Sequence, residues 1–263
     1  MLFLLILLVP QALGLQFNYL PISSVGEITY TMHRLYVNGS RIVNDLGLGV
    51  ILKGVNIGPR EYWDSSSVKS SDFYRIKSWG MNFVRLYLHW HFVESQAGVY
   101  SEDFLQRVDK YVTWAKQAGL YVVLGMSKAN DGGDSWVSWD EFFNDPNIRE
   151  RFYNVWSMVA TRYSQPQFDN VIAFYLLSDP NHQAEAEQQQ RQNIWWNTMI
   201  PEIINRIRAV NKHVMLIVEP IIGGWKDDTI FPTISPVNDG NTLYGHCLYQ
   251  PVYVTHQNGD YHG

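Results

Sequence analysis

A chain of 263 residues, 46% hydrophobic and 17% charged, has the core-forming material for one large domain, and α/β barrels occupy this size without splitting. Twenty Lys and Arg against 25 Asp and Glu leave a formal net charge of -5 with no basic cluster, which excludes the electrostatic footprint of a nucleic-acid or anionic-membrane binder. A single cysteine, Cys247, excludes an internal disulfide, while aromatics at 14% supply both core and flat apolar platforms of the kind that suit sugar rings.

Met1 to Pro10 is an uninterrupted apolar run, and Ala12-Leu13-Gly14 supplies the small residues of a signal-peptidase site. Residues 1–14 are therefore expected to be a signal peptide and 15–263 the folded domain of a secreted, extracellular protein. The run is too short to span a bilayer. It lacks a basic leading region, so a buried N-terminal strand is the alternative. Asn38-Gly39-Ser40 is an N-glycosylation acceptor for an exported chain.

Leu35-Tyr-Val-Asn-Gly-Ser-Arg-Ile-Val43 predicts a hairpin turning at Asn38-Gly39. Strand and helix patterns then alternate. Val50 to Asn56 reads as a strand, Ser71 or Asp72 as the cap of a helix to Trp79, and Met81 to Leu88 as the next strand. Phe104 to Ala118 repeats apolar residues at helical spacing and stops at Gly119, ahead of a buried strand from Leu120 to Met126. A polar loop from Lys128 to Ser138 carries Trp136. Asp145 caps a helix from Pro146 to about Tyr163. Val171 to Leu177 is the most apolar strand, ending abruptly at Ser178-Asp179-Pro180. Ala184 to Val210 reads as mostly helix, His213 to Val218 as a strand ending at Glu219-Pro220, and Thr242 to Leu248 as a sixth strand.

Strands alternating with helices imply βα units and a parallel sheet. The expected class is α/β, a (β/α)8 TIM barrel truncated after about the sixth strand, since a closed barrel needs eight and Gly263 follows without a terminal helix. An open doubly wound sheet is disfavoured because Gly54-Val55-Asn56-Ile57-Gly58 lacks the phosphate-binding spacing.

Several segments, in order, resemble glycoside hydrolase family five, the cellulase and endoglycoceramidase family of (β/α)8 barrels. Gly39 to Gly47 followed by Leu52-Lys-Gly-Val-Asn-Ile-Gly58 is similar to its hairpin and first barrel strand. Gly80-Met-Asn-Phe-Val-Arg-Leu86 is similar to its second strand, and Trp90-His-Phe-Val-Glu-Ser-Gln-Ala-Gly-Val-Tyr100 with Gly119 to Leu124 to the following loop and third strand. The match runs from about Leu35 to Pro251. The Trp-x-x-Val-Glu loop resembles endoglycoceramidase-like members slightly more than bacterial cellulases.

The resemblance implies hydrolysis of O-glycosidic bonds in β-linked glycans or glycoconjugates by the retaining route. Two carboxylates share that work, one protonating the leaving oxygen and the other attacking the sugar. In the family the proton donor is the glutamate of an Asn-Glu-Pro triplet; here Ser178-Asp179-Pro180 stands there, so Asp179 is the expected acid/base, one methylene short. The nucleophile belongs on a seventh strand, expected beyond Gly263. Arg85 takes the place of the arginine that steadies that nucleophile. Ser127 and Cys247 occupy positions where the family usually has histidine, with His246 one place early, and Tyr249 keeps the family's tyrosine. Ser178, Arg85, Tyr249, Ser127, Cys247, His89, Trp90, Trp136, Glu219 and Trp225 are the candidate substrate contacts. Packing is an equal alternative for Trp136 and Trp225; Glu219 ends the strand next to that of Asp179, close enough in a barrel to share a site with it as a second carboxylate, but a structural or substrate-contacting carboxylate capped by Pro220 is the preferred reading. Glu61 and Glu94 read as solvated or ion-paired loop groups.

No cofactor is implied. His89-Trp90-His91 raises a metal-hydrolase alternative, because period-2 spacing puts both imidazoles on one strand face, but no later ligand set accompanies it. The expected partner is an oligo- or polysaccharide, or a glycolipid, bound by a monomer. A catalytically weakened or inactive carbohydrate-binding protein on the hydrolase fold is the alternative function, because the Ser178-Asp179 and Ser127 departures weaken the expected chemistry.

Overall fold

The computed structural model describes residues 32–57, 67–127, 137–178, 180, 187–221 and 235–245. Leu35–Asn38 (β1) and Arg41–Asn44 (β2) form the antiparallel hairpin expected at Asn38-Gly39, with Gly39 at φ 60°. That left-handed conformation costs glycine little.

Along the chain follow Gly54–Ile57 (β3), Ser70–Ser78 (α1), Phe83–His89 (β4), a helical turn at Trp90–Val93 (α2), the small ribbon Glu94–Gln96 (β5) and Val99–Tyr100 (β6), and Glu102–Gln117 (α3). Then come Tyr121–Ser127 (β7), Trp139–Asn144 (α4), Pro146–Arg162 (α5) and Val171–Ser178 (β8). Gln188–Ile194 (α6) passes through a π-helical turn, Trp195–Met199, into Ile200–Val210 (α7), before Met215–Val218 (β9) and Thr242–Tyr244 (β10). The ribbon, α4 and the π turn had no counterpart in the sequence pattern. The expected extension of the last strand to Leu248 lies outside the described residues.

Local chemistry explains the helix starts. Ser101 Oγ accepts from Phe104 N at 3.3 Å, Asp145 Oδ1 accepts from Asn147 N at 2.7 Å, and Ser138 with Glu141 forms a reciprocal capping box. At α1 the expected cap is displaced: Lys69 precedes the helix, and Asp72, three residues in, accepts from its N–H at 2.8 Å.

β3, β4, β7, β8, β9 and β10 form one sheet in chain order, and every pairing is parallel. Unbroken chain order excludes a doubly wound sheet, whose strand order reverses at a switch point. It is the order of a barrel wall. The two faces differ accordingly. Val84, Leu86, Val122, Leu124, Phe174 and Leu216 point outward into one core with the helices. Val123, Ala173, Tyr175 and Met215 point to a second, inner core that contains no helix residue.

The hairpin plugs the amino-terminal end of that inner face. Leu35, Val37 and Ile42 pack there with Val50 and Leu52, and Val37 N donates to Asn241 Oδ1 at 2.8 Å. The carboxyl ends of the strands are thereby left as the end where a site can be built. No described helix is long and apolar enough to cross a membrane.

Candidate active site

β8 is buried along its whole length, as its composition requires, but it is not a regular strand. Its register with β7 shifts twice: Gly125 faces Tyr175, yet Ser127, two residues on, faces Ser178, three residues on. The extra residue is a bulge. Both Leu176 and Leu177 pack in the outer core, so Ser178 returns to the inner face that simple alternation from Tyr175 would deny it. His89, Ser127 and Ser178 consequently form one row across β4, β7 and β8 at the carboxyl rim. Asp179 follows immediately and lies outside the described residues.

The row beneath is Tyr87, Gly125, Tyr175 and Ile217. Arg85 rises into it from one level lower. Its guanidinium carbon lies 4.4 Å from the Tyr87 ring centroid and 4.8 Å from that of Tyr175, within cation–π range, and Nη2 contacts the Tyr87 hydroxyl. Gly125 leaves room for this path. A Cβ there would stand 3.4 Å from Arg85 Cδ and 3.4 Å from Tyr175 Cβ.

Tyr175 continues the chain of contacts to Glu219, just beyond β9. Its hydroxyl donates to Glu219 Oε2 at 2.5 Å, a charge-assisted bond to a carboxylate only 1% exposed. The hydroxyl passes close over Gly245, where a Cβ would come within 2.9 Å of it. On the helix side the π turn delivers Trp195, whose Nε1 donates to the Glu219 carbonyl at 2.8 Å, and Trp196, whose Nε1 donates to the Ser235 carbonyl at 2.8 Å. A π turn inserts one residue, and both neighbouring indoles are buried as a result.

Of the candidate contacts, Arg85, His89, Ser178 and Glu219 thus converge on one face, together with the backbone of Ser127. Trp90 does not. It is fully buried in the helix layer, against Phe152 at 5.2 Å and Phe142 at 6.0 Å, with Nε1 donating to Glu94 Oε2 at 2.6 Å, so its ring is core. Alternation ends with His89, where the chain turns helical, and this also separates the histidine pair: His89 is buried on the inner face and His91 is exposed. Among the described residues no group of three or more His, Cys, Asp or Glu could hold a metal ion. Asp179, Trp136, Trp225, Cys247, His246, Tyr249 and Glu61 lie outside the described residues, as does the side chain of Ser127.

Glu94 departs from its surface reading. It is 1% exposed, accepts from Gly98 N at 2.6 Å and from the Trp90 indole, and pairs with Arg151 at 3.1 Å. The ion pair was legible; the burial was not. Tyr87, Tyr175, Gly125 and Gly245 are site residues that the sequence pattern did not single out. A lone glycine in a valine-rich strand, as at Gly125, is the one signal that pointed there, since it marks a close approach.

A cleft of about 650 Å³ opens at the opposite end, among Arg34, Leu35, Val171, Lys212 and Val214. It holds none of the candidate contacts and lies on the face that in barrels serves stability.

Residues 43–262 match Cellulase (glycosyl hydrolase family 5). The chain is 29% identical over 216 residues to cellodextrinase A of Ruminococcus flavefaciens, covering 79% of this chain and 61% of that protein. It is 27% identical over 216 residues to endoglucanase C of Acetivibrio thermocellus, covering 81% and 59%. In three dimensions it resembles an endogalactoceramidase with a TM-score of 0.67 at 18% identity, over 81% of this chain and 59% of that one. It also resembles endo-glycoceramidase II from Rhodococcus sp. in complex with a cellobiose-like isofagomine, with a TM-score of 0.64 at 21% identity, over 78% and 58%. The chain therefore spans 61% and 59% of the two curated relatives, and the described sheet is six consecutive strands of a (β/α)8 barrel.

Proposed function

The chain belongs to glycosyl hydrolase family 5, the cellulase family, and from that membership we propose that the protein hydrolyses O-glycosidic bonds of β-linked glycans or glycoconjugates. The observation that carries this reading is the bulged carboxyl end of β8, which turns Ser178 to the inner face beside the rim positions of β4 and β7. Asp179 follows it, in the place of the family's proton donor.

In this reading Asp179 protonates the leaving oxygen while a carboxylate from the seventh strand, which the described residues do not include, attacks the sugar. Retaining chemistry asks for two carboxyl groups about 5–5.5 Å apart. A donor shortened by one methylene is set back by roughly 1 Å, a misplacement that can cost on the order of 100-fold in rate. Arg85, held between two tyrosine faces, supplies the positive charge that keeps the attacking carboxylate ionised. The substrate is a cellodextrin-like glucan or the glycan of a glycolipid. The second reading, a carbohydrate-binding protein of weakened or absent turnover, is favoured by the Ser178-Asp179 pair itself.

The protein is further read as a secreted monomer. Its apolar leader supports export, and Asn38, exposed at the hairpin turn, offers an accessible glycan acceptor.

Full-length protein from a secreting eukaryotic host is expected to begin at Leu15 and to release reducing ends from cellodextrins or β-glucan, or the aglycone from aryl β-glycosides or a glycosylceramide. Retention on one of these sugars without turnover would select the binding reading. Neither binding nor turnover on any of them would contradict both.

A further inference from the structure

We propose that Glu219 is a positioning residue of this site: acting through the Tyr175 hydroxyl, its carboxylate fixes where the Arg85 guanidinium sits on the inner face. The contacts form one line across three strands. Glu219 Oε2 takes the Tyr175 hydroxyl at 2.5 Å, and the Tyr175 ring lies 4.8 Å from the Arg85 guanidinium carbon. Gly245 and Gly125 leave room for the hydroxyl and for the arginine stem. The Glu219 backbone is itself anchored by the Trp195 indole.

That geometry has two physical effects. A phenol whose oxygen is held by a buried carboxylate cannot swing away from its place, so the position of the ring beside Arg85 is fixed. Donation to an anion also pushes electron density back into the ring, which strengthens its attraction for the guanidinium, and in a site this buried such a network is worth more than its isolated pairs. Arg85 is thus oriented between the Tyr175 and Tyr87 rings, one row beneath the rim row that holds His89 and Ser178.

The effect on turnover rests on the glycosidase reading, but the coupling of Glu219 to Arg85 does not, and the test separates them. Tyr175→Phe keeps the ring and removes the hydroxyl; Glu219→Gln keeps the size and an acceptor and removes the charge. In ¹⁵N-labelled full-length protein the Arg85 guanidinium signals, assigned by their loss in Arg85→Lys, are expected to report slow rotation in the unsubstituted protein. Rotation should become about tenfold faster in both variants, and kcat on an aryl β-glycoside should fall about tenfold with KM held within about twofold. Arg85 signals identical in the unsubstituted protein and both variants would overturn the proposal. If the unsubstituted protein turns nothing over, the glycosidase reading fails while the Arg85 signals still decide this one.

Discussion

Arg208 grips Asp239 through both carboxylate oxygens, Nε at 2.6 Å and Nη2 at 3.0 Å, while Nη1 reaches the carbonyls of Asn211 and Val214 at 3.1 and 2.8 Å. Burial works to raise the Asp239 pKa, but the Arg208 fork and charge, with the Asn241 N–H and the Thr242 hydroxyl, outweigh it and hold the carboxyl below its ordinary 3.8. A depressed folded-state pKa contributes stability that is fully present above 3.8 and is lost as pH falls through the lower folded value. Asp239→Asn should therefore cost about 1–3 kcal/mol in urea unfolding at neutral pH, with the difference shrinking in strong acid, where the native carboxyl is protonated too. A difference that stayed constant with pH would contradict the pairing. At this scale Arg85 was legible because the resemblance put it in the place of the family's arginine, near the functional end of its strand. The Tyr175–Glu219 bond was not, because its partners are 44 residues apart and nothing in the local pattern brings them together.

Elements whose signals are local were readable: the Asn38-Gly39 turn, the Asp145-Pro146 helix start and the two-faced burial of β8. Elements made by one inserted residue were not. The bulge at Leu176-Leu177 and the π turn at Trp195–Met199 leave apolar composition unchanged while rotating every residue after the insertion, so periodicity runs through both. The β5–β6 ribbon was hidden for another reason, that its organiser is a buried charge. Glu94 joins the α2 indole, the Gly98 turn and Arg151 of α5. Removing it takes the ion pair from the Arg151 guanidinium, which is only 21% exposed, and the acceptor from the Trp90 indole and the Gly98 N–H. Glu94→Ala should destabilise by about 3–5 kcal/mol, read as a lower urea midpoint. A loss below about 0.5 kcal/mol would return Glu94 to the class of ordinary surface charges.

For the molecule as a whole, the alternation of strands and helices was sufficient to foresee a parallel α/β sheet, and the order of family-like segments to foresee the barrel. Six strands in chain order with helices on one face meet that expectation. Part of the site remained a matter of residue types, because Asp179, Tyr249 and Trp225 fall outside the described residues and the chain spans 61% of its cellodextrinase relative. In the proposed reading Asp179 donates the proton in a β-glycosidase. That role is tested most directly by comparing kcat/KM of the full-length protein with Asp179→Ala and Asp179→Glu on aryl β-cellobiosides with poor and good leaving groups. Asp179→Ala is expected to lose about 100-fold or more on the poor leaving group but little on dinitrophenolate, which departs unprotonated, and Asp179→Glu to gain severalfold. Equal losses on both substrates, or no turnover by any of the three proteins, would contradict it.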